Sequence, residues 1–105
     1  MSACELPLLD FVNPQFHPGR NTSVRRGERW HGVSRAQLQR HPDGPAITVV
    51  LSTRLLRFDT LTCADLRDEH DPRCRTPDGL LQVLRRIYPG FAAGERVTLV
   101  HFVLD

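Results

Sequence analysis

The chain has 105 residues, a length typical of one compact domain, so we treat residues 1–105 as a single domain. Its hydrophobic fraction of 40% and charged fraction of 25% are ordinary for a folded protein and argue against a disordered, collagen-like or membrane-embedded chain. The chain contains 14 arginines and no lysine. The absence of lysine excludes a Schiff base, a lysine nucleophile and the lysine of a phosphate-binding P-loop.

The first third of the chain is predicted to be mostly extended. We expect a first strand over residues 6–12, ended by Asn13-Pro14. Residues 22–26 have the alternation of a strand, and Gly27-Glu28 would turn the chain into a second extended segment over residues 29–33. Because side chains alternate along a strand, positions 20, 22, 24 and 26 would share one face and positions 21, 23 and 25 the other.

A hairpin is predicted in the middle of the chain. The tetrapeptide His41-Pro42-Asp43-Gly44 is a strong turn signal, since proline presets one dihedral angle and Asp-Gly tolerates a positive φ. Residues 46–56 are rich in Val, Ile, Thr and Leu, which favours a strand. The tip of the hairpin would lie near Asp43. The sequence leaves the partner of this strand undecided, because residues 34–40 could instead form a short helix capped by Ser34.

Two helices and a closing strand are predicted for the rest of the chain. Thr62 and Asp65 resemble a helix start, and that helix would end before Pro72. Thr76-Pro77 begins a second helix with apolar residues at helical spacing, terminated by Pro89-Gly90. Residues 97–104 are apolar on both faces, as in a buried strand. The predicted fold class is α+β: a small, mostly antiparallel β-barrel with two helices before the last strand.

The cysteines at positions 4, 63 and 74 are odd in number and irregularly spaced, which predicts free thiols in a reducing compartment. Cys63, His70 and Cys74 lack the paired spacing and the fourth ligand of a zinc site, so we expect no metal and no cofactor. No apolar run is long enough to span a bilayer, and no signal-like start is visible. The sequence therefore predicts a cytoplasmic protein without a membrane partner.

Charge is unevenly distributed along the chain. Residues 17–41 contain six arginines and one acid, whereas residues 59–78 contain six acids and three arginines. This distribution is typical of two solvated faces. It also offers a basic patch and an acidic cluster that could supply a general acid or base.

Several blocks, taken in order, resemble the ASCH domain, a small member of the PUA-like β-barrel superfamily. The tract Gly-Arg-Asn-Thr-Ser-Val-Arg-Arg at 19–26 is similar to the family's entry motif, Gly-Arg/Lys-Lys-Thr, and Gly27-Glu28 follows it. Later blocks are Phe58-Asp59-Thr60-Leu61-Thr62, the acid Glu69, and Tyr88-Pro89-Gly90 before a strand containing Phe102. The resemblance covers residues 11–104 and implies a PUA-like barrel.

Small bacterial members of that family are amidohydrolases that remove the acetyl group from the exocyclic nitrogen of acetylated cytidine. The resemblance places their catalytic lysine, threonine and acid at Asn21, Val24 and Glu69, so only the acid is retained. Asparagine donates a hydrogen bond but neither a proton nor a positive charge, and losing one oxyanion donor costs about two to three orders of magnitude in rate. A one-residue bulge that presents Ser23 would replace the missing hydroxyl.

Three functions of different classes follow, in this order. The first is a module that binds RNA or a modified nucleoside in a basic cleft, using Arg20, Arg25, Arg26 and Trp30. Trp30 would either stack on a base or belong to the core. The second is an amidohydrolase acting on a linear amide of an acylated nucleoside such as acetylcytidine, through Glu69 with Ser23, Thr22 or Asn21 as substitutes; His70 could tune Glu69. The third is a small protein-interaction domain without a nucleotide ligand. We expect a monomer or weak dimer.

Overall fold

Five strands and one α-helix make up the part of the chain that the computed structural model describes, residues 6–41 and 43–105. The strands are β1 (Gly19–Arg26), β2 (Arg35–Gln39), β3 (Ala46–Val50), β4 (Ser52–Arg57) and β5 (Arg96–Leu104), and the helix is α1 (Pro77–Ile87). Short 3₁₀ helices cover Phe58–Thr60 and Pro72–Cys74. The predicted α+β class is confirmed. No helix among the described residues is both long and apolar enough to cross a membrane.

All strand pairing between the named elements is antiparallel. β5 is the central strand of a three-stranded sheet of order β1-β5-β4, and β2 and β3 form a separate two-stranded sheet. Among the described residues these sheets do not close into a barrel, so the predicted barrel is not confirmed. The register of β1 against β5 runs without interruption from Gly19 opposite Leu104 to Arg26 opposite Val97. The bulge expected at Ser23 is therefore wrong.

Two apolar cores lie on the opposite faces of the three-stranded sheet. Val97 and Leu99 of β5 pack into one core with α1, and Val100 and Phe102 pack into the other with the β2–β3 hairpin. The prediction that this strand is buried on both faces is thus confirmed. The helix-side core also contains Val24, Phe58, Leu61, Leu66, Cys74, Leu80, Leu84 and Phe91, and the hairpin-side core contains Leu9, Trp30, Ala36, Leu38, Val49, Leu51 and Leu104.

Helix α1 begins where its sequence predicts. The Thr76 hydroxyl accepts a hydrogen bond from the Gly79 amide at 3.1 Å, and proline occupies the first turn, where an amide hydrogen is not needed. Leu80 and Leu84 lie on the face that packs into the helix-side core. Both the start of this helix and its buried face are therefore confirmed.

The helix predicted between Thr62 and Pro72 is wrong. Its capping signal is present, because the Thr62 amide donates to Asp65 Oδ2 at 2.9 Å, but the bonds that follow join residues three apart, as in turns. Immediately afterwards, Thr22 of β1 binds both flanking main-chain groups: its amide donates to Asp68 O at 2.8 Å, and its carbonyl accepts from the His70 amide at 3.0 Å. A chain held extended against β1 cannot continue a helix. This pairing fixes the position of Glu69.

Other differences from prediction lie in the first half of the chain. Among the described residues, the segment 6–12 makes only one bridge, between Leu8 and Gln37, and residues 29–33 form turns rather than a strand. The single strand expected over 46–56 is split into β3 and β4 at Leu51, whose amide donates to Ser34 O at 2.8 Å. The partner of β3 is the strand β2 and not a helix, so the hairpin is confirmed. Cys4 and Pro42 lie outside the described residues.

Candidate functional site

A cavity of about 510 Å³ opens beside the edge of β1 that faces away from β5, between the segment 10–13 and helix α1. Its polar wall consists of residues from β1 and from the segment 69–71, and its apolar wall includes Leu80 and Leu84 of α1. This volume is within the range of small-molecule sites, about 300–1,000 Å³. We call it the Glu69 cavity, because Glu69 lies in the polar wall.

Glu69 is a buried carboxyl group in this wall, with only 2% of its surface exposed. Its Oε1 accepts a hydrogen bond from the Asp71 amide at 3.0 Å and lies 3.3 Å from Nε2 of His70. Burial raises the pKa of Glu69 to about 8, and the hydrogen bonds from the Asp71 and Val24 amides and the charge of Arg25 oppose this only in part. Glu69 is therefore mainly protonated at neutral pH.

His70 lies against Glu69 in the cavity wall. Its Nδ1 lies 2.9 Å from the Gln15 carbonyl oxygen, and because a carbonyl only accepts, Nδ1 holds the ring hydrogen. Nε2 then carries the lone pair of the ring and lies 3.3 Å from Glu69 Oε1. Burial lowers the pKa of His70, so the neutral imidazole is favoured. At neutral pH the pair therefore places a proton donor, Glu69, beside a proton acceptor, His70.

Ser23 and Arg25 lie on the same face of β1 and both line the cavity. Arg25 Nε donates to Ser23 Oγ at 2.9 Å, which leaves the serine hydrogen for another acceptor. The guanidinium carbon of Arg25 lies 4.7 Å from the centre of the Phe11 ring, a cation–π distance. Burial lowers the pKa of Arg25, and the nearby Asp10 opposes that shift. The cavity therefore contains a cation that has lost much of its water.

Asp71 differs from Glu69 in protonation although the two carboxyl groups are two residues apart. Its Oδ2 accepts from Arg73 Nη2 at 2.8 Å and from Asn13 Nδ2 at 3.1 Å. These hydrogen bonds, above all those from Arg73, hold the pKa of Asp71 well below its ordinary value. One neutral and one ionised carboxyl group therefore stand side by side, an arrangement typical of acid–base sites.

Two of the four predicted catalytic residues do not line the cavity. Asn21 is fully buried, and its amide group donates to the carbonyls of His17 at 2.8 Å and Gly19 at 3.2 Å. Thr22 points to the other face of β1, where its Oγ1 lies 2.9 Å from Nδ1 of His101. Only Glu69 and Ser23 of the predicted set meet in the cavity.

Of the four predicted binding residues, only Arg25 lines the Glu69 cavity. Arg20 lies beside a different groove, next to His101, and approaches Asp68 to 3.9 Å. Arg26 Nε donates to Glu95 at 2.7 Å. Trp30 is buried in the hairpin-side core, so its role as a core residue is confirmed and it is not available to stack on a base.

Sequence reasoning missed several residues of the cavity, including Phe11, Asp71 and Arg86. The only local signal was the run of five ionisable residues at 67–71 before Pro72. Cys74 also lines the cavity, but burial raises the pKa of its thiol to about 12, so it is no nucleophile. Among the described residues, no group of three or more His, Cys, Asp or Glu side chains could hold a metal ion.

Comparisons of this chain with protein-family models, curated proteins and solved structures find no match. A functional assignment for the Glu69 cavity therefore depends on the geometry of the cavity and on the motifs in the sequence.

Proposed function

We propose that this chain is an ASCH-like module of the PUA-like type that binds a nucleoside, free or within RNA, in the Glu69 cavity. The observation that supports the proposal is a buried, protonated Glu69 in the wall of a cavity that also presents Arg25 and Ser23. A protonated carboxyl group donates through its hydroxyl and accepts through its carbonyl. If the Glu69 hydroxyl turns from His70 Nε2 towards the ligand, this pair complements the edge of a nitrogen heterocycle that has an acceptor next to a donor.

Ring surfaces in the same cavity suit a planar ligand. Phe11 and Tyr88 both line it and offer faces or edges against which a base can pack. The arginines outside the cavity favour a single base over a long RNA surface, because Arg20 lies beside another groove and Arg26 is bonded to Glu95. Within RNA, recognition would therefore involve one base inserted into the cavity.

Calorimetric titration with the four ribonucleosides and with a short single-stranded RNA, at about 50 and 200 mM salt, tests this proposal. At least one nucleoside should bind, with an affinity that falls as the pH rises through about 8 and Glu69 ionises. Glu69→Gln keeps a donor and an acceptor and should bind without this pH dependence, whereas Glu69→Leu should not bind. The exposed Glu28→Gln is the matched control. No binding of any nucleoside or RNA at the lower salt rejects the proposal.

A second candidate function is hydrolysis of an acyl amide on the bound nucleoside. The contact between a protonated Glu69 and a neutral His70 beside Ser23 favours it, because amide hydrolysis requires a base for the attacking water and an acid for the leaving amine. Water would add to the acyl carbon, Arg25 would stabilise the oxyanion, and the pair would pass the proton to the departing nitrogen. The products are a carboxylic acid and the free amine.

One variant separates binding from hydrolysis. Glu69→Gln retains hydrogen bonding but cannot transfer a proton, so it should bind the nucleoside and release no cytidine from acetylcytidine. Wild-type protein at high concentration is the reference. Failure of wild type to release cytidine eliminates hydrolysis of this substrate and leaves the binding function in place. A chain that neither binds nor turns over nucleosides would instead fit the interaction-domain alternative.

A further inference from the structure

We infer that the ligand of the Glu69 cavity contains a phosphate monoester, which Arg25 and Arg86 bind, so that the cavity accepts a nucleotide in preference to the bare nucleoside. This inference rests on the proposed function and names the class of ligand for the same site. It is drawn from the charges of the cavity and from the hydrogen bonds that its arginines leave unused.

The charged residues of the cavity leave an excess of positive charge. Its lining contains the arginines at 25, 73 and 86 and the acids at 10, 69 and 71. Glu69 is mainly neutral near pH 7, because burial raises its pKa to about 8. Arg73 and Asp71 form an ion pair at 2.8 Å, so their charges cancel. Arg25 and Arg86 then remain against the single carboxylate of Asp10.

Asp10 compensates Arg25 poorly. The Asp10 side chain is 82% exposed, and its nearest oxygen lies 3.4 Å from Arg25 Nη1, whereas the Arg25 side chain is only 17% exposed. An ion pair with a hydrated, mobile partner contributes little. Arg25 has therefore lost water without gaining a strong counterion, and burial lowers its pKa accordingly. An anion in the cavity would restore the missing interaction.

Arg25 also has an unused donor. Its Nε bonds Ser23 and its Nη1 bonds Asp10, but its Nη2 makes no hydrogen bond to a described residue. The planar guanidinium group presents paired donors that match the oxygens of phosphate. Because the group is held by Ser23 and by the Phe11 ring, little side-chain freedom would be lost on binding.

Arg86 supplies the second cation, from the last turn of α1. It is exposed, it lines the cavity, and its side chain makes no hydrogen bond or ion pair with a described residue. The adjacent Arg85 differs, since its Nε donates to Phe91 O at 3.1 Å and so serves the fold. A basic residue in the last turn of a helix also interacts favourably with the helix dipole. If this were the only role of Arg86, replacing Arg86 would leave the affinity for a nucleotide unchanged.

Calorimetric titration of the full chain near pH 7 with the four ribonucleosides, their 5′-monophosphates and inorganic phosphate tests the inference. At least one monophosphate should bind about tenfold more tightly than its nucleoside, since hydrogen bonds between charged groups exceed neutral ones by such a factor. This ratio should fall towards one in Arg86→Ala and in Arg25→Gln. Arg67→Ala, an exposed arginine away from the cavity, is the matched control and should keep the ratio.

The outcomes distinguish this inference from the function on which it rests. Equal affinity for a nucleoside and its monophosphate overturns the inference and leaves nucleoside binding in place. Inorganic phosphate binding as tightly as any nucleotide keeps the anion site and contradicts nucleoside recognition. Absence of all binding overturns both. Circular dichroism shows whether Arg25→Gln folds. If it does not, the affinities of Arg86→Ala, which alters a surface residue, decide the test.

Discussion

Replacing Glu69 by glutamine should stabilise the fold at neutral pH, even though Glu69 is buried and hydrogen-bonded. The reason is the difference between its pKa in the folded chain, about 8, and its ordinary value of 4.5. At a pH between these two values, Glu69 has released its proton in the unfolded chain but retains it in the folded chain. Stability therefore falls as the pH rises, by about 1.4 kcal/mol per pH unit, and the loss at pH 7 is about 3 kcal/mol.

Glutamine avoids this loss because it does not ionise. It also forfeits one hydrogen bond, worth about 1 kcal/mol. Oε1 of the carboxyl group accepts from the Asp71 amide and lies 3.3 Å from His70 Nε2, and a hydroxyl oxygen there can both accept and donate, whereas no single atom of an amide can do both. The net expectation is a variant about 2 kcal/mol more stable than wild type at pH 7. His70 has a lowered pKa and costs stability below pH 6.5 in both proteins, so the comparison belongs above that pH.

Urea unfolding followed by the fluorescence of Trp30, the single tryptophan and a buried one, measures this difference. From pH 6.5 to 7.5 the advantage of Glu69→Gln over wild type should grow by about 1.2 kcal/mol, and it should grow more slowly towards pH 8, where Glu69 ionises in the folded chain. Glu28→Gln, which alters an exposed carboxylate, should show a constant difference from wild type. If the advantage of Glu69→Gln does not change with pH, Glu69 is ionised in the folded chain and the reasoning fails.

Two further substitutions test the fold around the cavity. Gly79→Ala should destabilise the protein by about 2 kcal/mol or more in thermal unfolding, because the new Cβ would overlap the Arg73 carbonyl oxygen. Gly94→Ala, which meets only the end of a flexible side chain, is its control, and equal effects would contradict this packing. Asn21→Lys should cost about 3 kcal/mol or more in urea unfolding and should not raise acetylcytidine turnover above that of wild type, because position 21 is fully buried away from the cavity. Arg20→Lys, at an exposed position, is the control and should leave stability unchanged, and higher turnover by Asn21→Lys than by wild type would contradict the placement of the site.

Elements that depend on local signals could be predicted from the sequence. Helix α1 follows from the Thr76 cap, the proline after it and the apolar residues at helical spacing. β5 follows from a run that is apolar on both faces, and the β2–β3 hairpin from the turn signal around Asp43. In each case the information lies within about a dozen neighbouring residues.

Long-range pairing explains the main error in the fold. The capping signal at Thr62 and Asp65 forms as expected, yet no helix follows it. Thr22, some 40 positions earlier, binds the main chain on both sides of Glu69 and holds it extended. Local propensity cannot indicate such a pairing, because the partner is distant in sequence.

The sequence indicated two β1 residues that line the Glu69 cavity, Ser23 and Arg25, but not the residues that reach the cavity through packing of distant segments. Ser23 was expected to replace the missing hydroxyl through a bulge, but it lines the cavity by the plain alternation of an uninterrupted strand. Asn21 lies on the same face of β1 as Ser23, yet its side-chain amide donates to the His17 carbonyl oxygen and does not line the cavity. Phe11 belongs to an irregular segment whose position depends on contacts with distant residues such as His70, so periodicity does not indicate it.

Mapping of backbone amide chemical shifts during titration with the four ribonucleosides shows where on the chain a nucleoside binds. A nucleoside bound in the Glu69 cavity should perturb the amides of Ser23, Arg25 and Asp71, which surround the cavity, and Glu69→Leu should remove these changes. Perturbations confined to the groove beside Arg20 and His101, or none at millimolar nucleoside, would contradict binding in the Glu69 cavity.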